Sequence, residues 1–313
     1  MIRPLRNDDY RGVVSLLRTV RADSIYTAAG MRHLIDSMPE RAANAAWVAD
    51  EGDGEIVGWS WAHRRWWRAN DTAYAWVGVH PAARRRGLGG ALWELAETHA
   101  LNLGITALFT DVPGDPAGER FVQARGLEPG PIDRISSVDP RKVDLGELAE
   151  REARASADGY RLVTFRDADL HGLFRLSLET ADDMPGGDAP HEVSFEEWRD
   201  ELVDHPDLNQ EASMIVVRDG EPVAHCLMAV DLDGRRARNE GTGTARDHRR
   251  RGLATLAKLA AIRWAVEHEI QTIITDNSEQ NVGMLAINER LGFRPLITRQ
   301  RWTKDVSGAE AAS

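Results

Sequence analysis

The residues best suited to chemistry are Arg249-Arg250-Arg251-Gly252-Leu253-Ala254. Arginine supplies positive charge and forked donors for phosphate oxygens. Gly252 and the small Ala254 let the main chain approach an anion closely. The preceding stretch from Glu240 to Thr244 is Thr/Gly-rich and reads as a strand end, and the Ala/Leu-rich run 253–265 reads as a helix. A helix that opens after such a turn offers free N–H groups and the positive end of its dipole to an anion. The device occurs twice. Arg84-Arg85-Arg86-Gly87-Leu88-Gly89-Gly90 stands between the apolar stretch 75–81 and the helical run 91–103. Arg84 matches Arg249, Gly87 matches Gly252 and Gly89 matches Ala254, each pair 165 residues apart. One such turn is weak evidence for a phosphate site. Two at a fixed offset, each between a strand and a helix, are strong evidence.

The elements that must position these turns also repeat. Ile2 to Arg6 reads as a strand, and Asn7-Asp8-Asp9 as the cap of a helix carrying Val13, Val14, Leu16 and Leu17. Leu162 to Phe165 and the helix through Leu173, Phe174 and Leu176 repeat this, with Arg166 standing 160 residues after Arg6. Turns at 50–54 and 219–221 separate apolar pairs and signal hairpins. Each copy reads β-α-α-β-β-β-α-β-α-β. The expected class is α/β (α+β), with two tandem domains, each a mixed, mainly antiparallel sheet flanked by helices. Expected bounds are 1–140, a linker at 141–159 whose run 145–155 reads as a solvated helix, 160–306, and a frayed tail at 307–313. Trp59 and Trp61 alternate and should share a sheet face, as core or as part of an acceptor pocket.

The Arg-x-x-Gly-x-Gly/Ala turns, together with Asn277 to Phe293 and its Leu291-Gly292-Phe293 end, resemble the GNAT superfamily of N-acetyltransferases. The first-copy counterpart of that end is Glu119 to Leu127, with Gly126 matching Gly292. The resemblance covers nearly the whole chain as two copies. It implies an acetyl-CoA (CoA) cofactor held in the second copy by Thr242, Gly243, Thr244, Arg249, Arg250, Arg251, Gly252, Leu253, Ala254, Thr255, Asn277, Asn281 and Met284. In the first copy it implies Val77, Val79, Arg84, Arg85, Arg86, Gly87, Leu88, Gly89 and Gly90.

Amide formation from a thioester needs a neutral amine, a polarised carbonyl and a departing thiolate. The family keeps a carboxylate on the strand before the turn, which makes Glu240 the expected base. The first copy has Tyr74, Ala75 and Trp76 in the equivalent stretch, and Asp115 where the second has Asn281. Catalysis is therefore expected in the second copy. Where many relatives place a Tyr to protonate the thiolate, this chain has Asn288 and Val122; Asn288 can donate a hydrogen bond but is no acid. Glu179 to Glu201 holds nine acidic residues and one arginine. Its loop, with Asp182, Asp183 and Met184, is expected to border the site of a small, cationic amine.

Composition narrows the alternatives. The 313 residues allow two cores, and the net charge of −11 disfavours nucleic acid. No apolar run approaches a membrane span, and the N-terminus lacks a signal-peptide core. A single cysteine, Cys226, excludes an internal disulfide and points to the cytoplasm. Histidine spacing gives no metal site, and a monomer or homodimer is expected. The rival readings are an acyl-CoA-binding sensor without turnover, and an acyltransferase using a longer acyl-CoA.

Overall fold

A computed structural model describes residues 1–52, 54–67, 71–183 and 193–307. Along the chain come β1 (Ile2–Pro4), α1 (Tyr10–Val20), α2 (Ala28–Asp36), β2 (Ala45–Asp50), β3 (Ile56–Arg64) and β4 (Thr72–Val79). Then come α3 (Leu88–Leu101), β5 (Ala107–Pro113), α4 (Pro116–Gln123), β6 (Glu128–Val138) and α5 (Leu148–Ala157). The second repeat holds β7 (Tyr160–Thr164), α6 (Leu170–Asp182), α7 (Phe195–Trp198), β8 (Met214–Arg218), β9 (Glu221–Asp231) and β10 (Arg236–Thr244). It ends with α8 (Leu253–Glu267), β11 (Thr272–Ser278), α9 (Val282–Arg290) and β12 (Arg294–Asp305). Both copies keep the expected element order, and each sheet is mixed and mainly antiparallel.

The compact units are drawn differently from the sequence bounds. One comprises Met1–Asp133 with Ile297–Ser313, the other Arg134–Leu296. The cause is β12, which pairs antiparallel with β5 from Arg299 opposite Pro113 to Asp305 opposite Ala107. The first unit's sheet thus runs β1-β2-β3-β4-β5-β12. Its neighbours are antiparallel except β4 and β5, which pair in parallel at Thr72–Tyr74 and Ala107–Phe109. That ladder ends at Tyr74 and Phe109, and the strands part beyond it. In the second unit β10 and β11 pair in parallel only over Arg236–Asn239 and Thr272–Thr275.

Alternation divides the first unit's residues between two layers. Trp59, Trp61 and Trp76 pack with Val13, Leu17 and Met31 of α1 and α2, and the rings of Trp59 and Trp61 stack at 5.9 Å. The small Ala62, Ala73 and Ala75 on the other face leave room for Trp93 of α3 and Trp302 of β12. In the second unit α8 is buried nearly all round, because α5 covers it through Leu148 and Ala155. The expected solvated helix keeps most of its residues exposed and packs through its Leu148 and Ala155 edge. Asp9 does not cap α1 through its side chain. Its carboxylate accepts from Arg3 Nη1 and Nη2 at 2.7 and 2.8 Å and from the Arg6 N–H at 2.7 Å. Among the described residues no helix is long and apolar enough to cross a membrane.

Among the described residues one histidine lies buried in each unit. Burial pushes His63 and His225 down to about 4. Both stay neutral in the folded chain, while the unfolded chain takes up protons near pH 6.5. Stability is therefore full above that pH and falls as pH drops toward 4, on the order of 3 kcal/mol for each histidine. The urea midpoint should fall between pH 7 and pH 4.5, and His225→Leu should reduce the slope. An unchanged slope would contradict the assignment.

Candidate active site

The two phosphate turns are close geometric copies. Arg84 Nε donates to the Val79 carbonyl at 3.1 Å, and Arg249 Nε to the Thr244 carbonyl at 3.0 Å. Each arginine thus ties the turn to the end of its own strand. Arg85 and Arg250 take φ of 64° and 60°, a conformation that costs about 1 kcal/mol outside glycine. Gly87 and Gly252, at φ 81° and 78°, begin α3 and α8. The first helical bonds are Ala91 N–H to Gly87 O and Leu256 N–H to Gly252 O. The N–H groups of Leu88, Gly89 and Gly90, and of Leu253, Ala254 and Thr255, precede those bonds and have no partner within the helix.

The surroundings differ. In the first unit a cleft of about 580 Å³ opens where β4 and β5 part. Arg84, Arg85, Gly87, Gly89 and Gly90 line one end. Val77, Val79, Val112 and Phe121 form apolar walls. Trp76, Asp111 and Val20 of α1 lie at the other end. A Cβ added at Gly87 would meet nothing within 4 Å. These features fit a CoA-type ligand: free N–H donors at a helix start, space for a close main-chain approach, and a long apolar-walled channel. Arg86 turns to Glu51, 2.5 Å away, and Leu88 packs beside Val77 and Val79.

In the second unit the turn is engaged by acids of the chain itself. The Asp183 carboxylate bridges Arg246, at 3.0 Å, and Arg249. Those two arginines hold it below the usual carboxylate range. Glu179 accepts from the Arg246 N–H at 2.6 Å. A Cβ at Gly252 would meet Arg151 Nη1 at 3.2 Å, and Arg251 lies beside Arg151 and Arg154 of α5. Asp183 thus sits on the phosphate turn. Asp182 is exposed next to it, and Met184 lies outside the described residues. Removing the bridge, in Asp183→Ala placed on a Gly87→Glu background, should strengthen acetyl-CoA binding at this turn several-fold in a filter-binding assay. Weakened binding would mean that Asp183 organises the turn instead.

Glu240 is the extra residue of a bulge, where the β9–β10 register shifts between Asn239 and Gly241. Its carboxylate lies 3.4 Å from Arg238 Nε, and Arg238 also holds Asp276 at 2.6 Å. Asn288 is buried, donating to Asn277 Oδ1 at 2.7 Å. Its amide joins α9 to β11 through one of its two N–H donors. Asn281 accepts from the Met284 N–H at 3.2 Å and caps α9. Asp115 accepts from the Ala117 N–H at 3.0 Å and caps α4 in the same way. Thr242 Oγ1 donates to Asn239 Oδ1 at 2.8 Å. Gly243 lies so close to Thr180 that a Cβ would stand 2.6 Å from its Cγ2.

Two polar residues were not singled out from sequence. Asp111 lines the first cleft, and its signal is the Thr110-Asp111 pair repeated 165 residues later as Thr275-Asp276. Lys258 is 2% exposed, with Nζ 2.5 Å from Asn239 Oδ1, and burial lowers its pKa. Its match in the first copy is Trp93, so no repeat marked it. Cys226 is buried, and burial raises its thiol, which suits an inert core residue. Among the described residues no group of three or more His, Cys, Asp or Glu side chains could hold a metal ion.

This is the layout of an acyl-CoA-type transferase built twice, and the chain belongs to the GNAT family of acetyltransferases. The Acetyltransferase (GNAT) family matches residues 13–126 and again 173–293. A tandem GNAT protein from the clavulanic acid biosynthesis pathway is similar over 99% of both chains, at 24% identity and a TM-score of 0.74. A GCN5-related N-acetyltransferase from Sphaerobacter thermophilus is similar over 98% of this chain and 95% of its own, at 15% identity and a TM-score of 0.67. At these identities the likeness concerns the fold. No curated protein matches the chain.

Proposed function

We propose that the chain transfers an acetyl group from acetyl-CoA to a primary amine of a small, cationic molecule, with both reactants bound together, and that the donor lies in the first unit's cleft. The observation that carries this reading is the cleft itself, which joins an anion-suited helix start to an end holding Asp111 and Trp76. When bound, the thioester supplies an activated acyl carbon. The N–H groups of Gly89 and Gly90 and the charges of Arg84 and Arg85 hold the pyrophosphate end. Beyond Tyr74, β4 no longer pairs with β5. That open edge can hydrogen-bond an extended amide-bearing arm as an added strand would. Val77, Val79 and Val112 exclude water from the arm. Binding both reactants side by side supplies much of the rate.

The second copy serves as scaffold in this reading, because its phosphate turn is already covered by a carboxylate of the chain, Asp183, which bridges Arg246 and Arg249. The test is release of free CoA thiol from acetyl-CoA across a panel of small primary amines. Amine-dependent release with a matching acetylated product supports a transferase. Acetyl-CoA binding without release by any amine would favour an acyl-CoA-binding sensor.

A further inference from the structure

Resting on that reading, we infer that Asp111 is the group that meets the acceptor amine at the acyl end of the first cleft and takes its proton. Sequence reasoning places the base at Glu240; the geometry points to a different strand and the other copy.

Four observations converge on Asp111. It lines the far end of the cleft, opposite the phosphate turn, together with Trp76 and Val20. It stands two residues past Phe109, where the β4–β5 ladder ends, so it flanks the gap through which the donor arm must pass. By strand alternation it shares the face of Phe109, whose ring lies 5.3 Å from that of Tyr74. This is the α1/α2 side of the sheet, away from α3. Asp115, the other acidic residue of the lining, caps α4 near Arg84, 3.9 Å away. Asp111 lies within β5 and Asp115 lies past the end of that strand, at the start of α4, so one belongs to the acyl end and the other to the phosphate end.

Asp111 is held only loosely by the chain itself. Its cross-strand partner is Arg301 of β12, with Nε 3.6 Å from the carboxylate. Trp76, beside it in the lining, stands 6.0 Å from the Arg21 guanidinium. In the second copy the corresponding pair is closer. Its matching residue, Asp276, is held by Arg238 at 2.6 Å, and the position of Arg238 is taken by Ala73 in the first copy. The acceptor class is therefore a primary alkylammonium small enough to enter beside Trp76. In the reaction, the ammonium gives one proton to the Asp111 carboxylate. The freed nitrogen pair bonds the acyl carbon, and the carbon–sulfur bond breaks. CoA departs as a thiolate that takes the second nitrogen proton, and Asp111 returns its proton to water.

Bromoacetyl-CoA places an electrophile where the acetyl group would sit, and the chain's one native thiol, Cys226, is buried. Asp111→Cys should be alkylated once per chain, as read by intact mass, and excess CoA should block it. Val20→Cys, from α1 at the same end, serves if Asp111→Cys does not fold. Glu240→Cys should stay unmodified. Alkylation of Glu240→Cys alone would overturn the inference and move the acyl end to the second copy. No alkylation at 111 or 20, in proteins that still bind acetyl-CoA, would overturn it while leaving the transferase reading intact. Failure of the unaltered protein to bind acetyl-CoA at all would instead remove the transferase reading, and this inference with it.

Discussion

Gly87→Glu is expected to weaken acetyl-CoA binding by about 100-fold, whereas Gly252→Glu should change it by less than threefold. Gly87 begins α3 in the left-handed region, at φ 81°, where a side chain adds strain of order 1 kcal/mol. A carboxylate there would also occupy the anion site at the helix start and repel a pyrophosphate. The space beside Gly87 is open, so the new side chain would crowd the ligand rather than the core. Gly252 has the same φ range, but Arg151 stands beside it and Asp183 holds Arg249. Equilibrium dialysis with labelled acetyl-CoA measures both variants. The opposite ranking would assign the donor to the second copy.

Trp302→Ala should destabilise the first unit by about 3–5 kcal/mol, the range for deleting a buried tryptophan. Trp302 is 2% exposed and packs with Trp93, Leu108 and Val122. It also sits on the strand that the end of the chain lends to β5, opposite Thr110. The same strand brings Arg301 to Asp111 and Lys304 to within 2.9 Å of Glu97. The variant therefore tests whether the first unit depends on a residue 179 positions (302 − 123) downstream of its last helix. Eight of the ten tryptophans lie in the first unit, so fluorescence during urea unfolding follows it preferentially. A change below 1 kcal/mol would mean that β12 contributes little there.

Much of this was legible in the sequence because the chain is written twice. The 165-residue offset located both turns, and the structure gives them matching backbone angles and matching arginine-to-strand bonds. Element order was readable from hydrophobic period and turn residues. Strand exchange was not. β6 and β12 each have ordinary strand composition, and nothing in a single chain says which unit a terminal strand joins; that follows from which sheet edge is open. The electrostatic partners were equally hidden. Asp183 reads as one acid in an acidic loop, and only the folded chain brings it to Arg246 and Arg249. Glu240 reads as an available carboxylate until Arg238 is placed between it and Asp276. Nothing in the sequence beyond the repeated Thr-Asp pair marks Asp111, because the resemblance points to the strand before the turn, whereas the cleft is bounded on its other side by β5.

The most direct test of the central claim is calorimetric titration of the unaltered protein with acetyl-CoA. One site per chain that disappears in Gly87→Glu and persists in Gly252→Glu is the predicted result, and it would locate the donor in the first unit's cleft. One site that survives Gly87→Glu and disappears in Gly252→Glu, or no binding at all, would contradict the account.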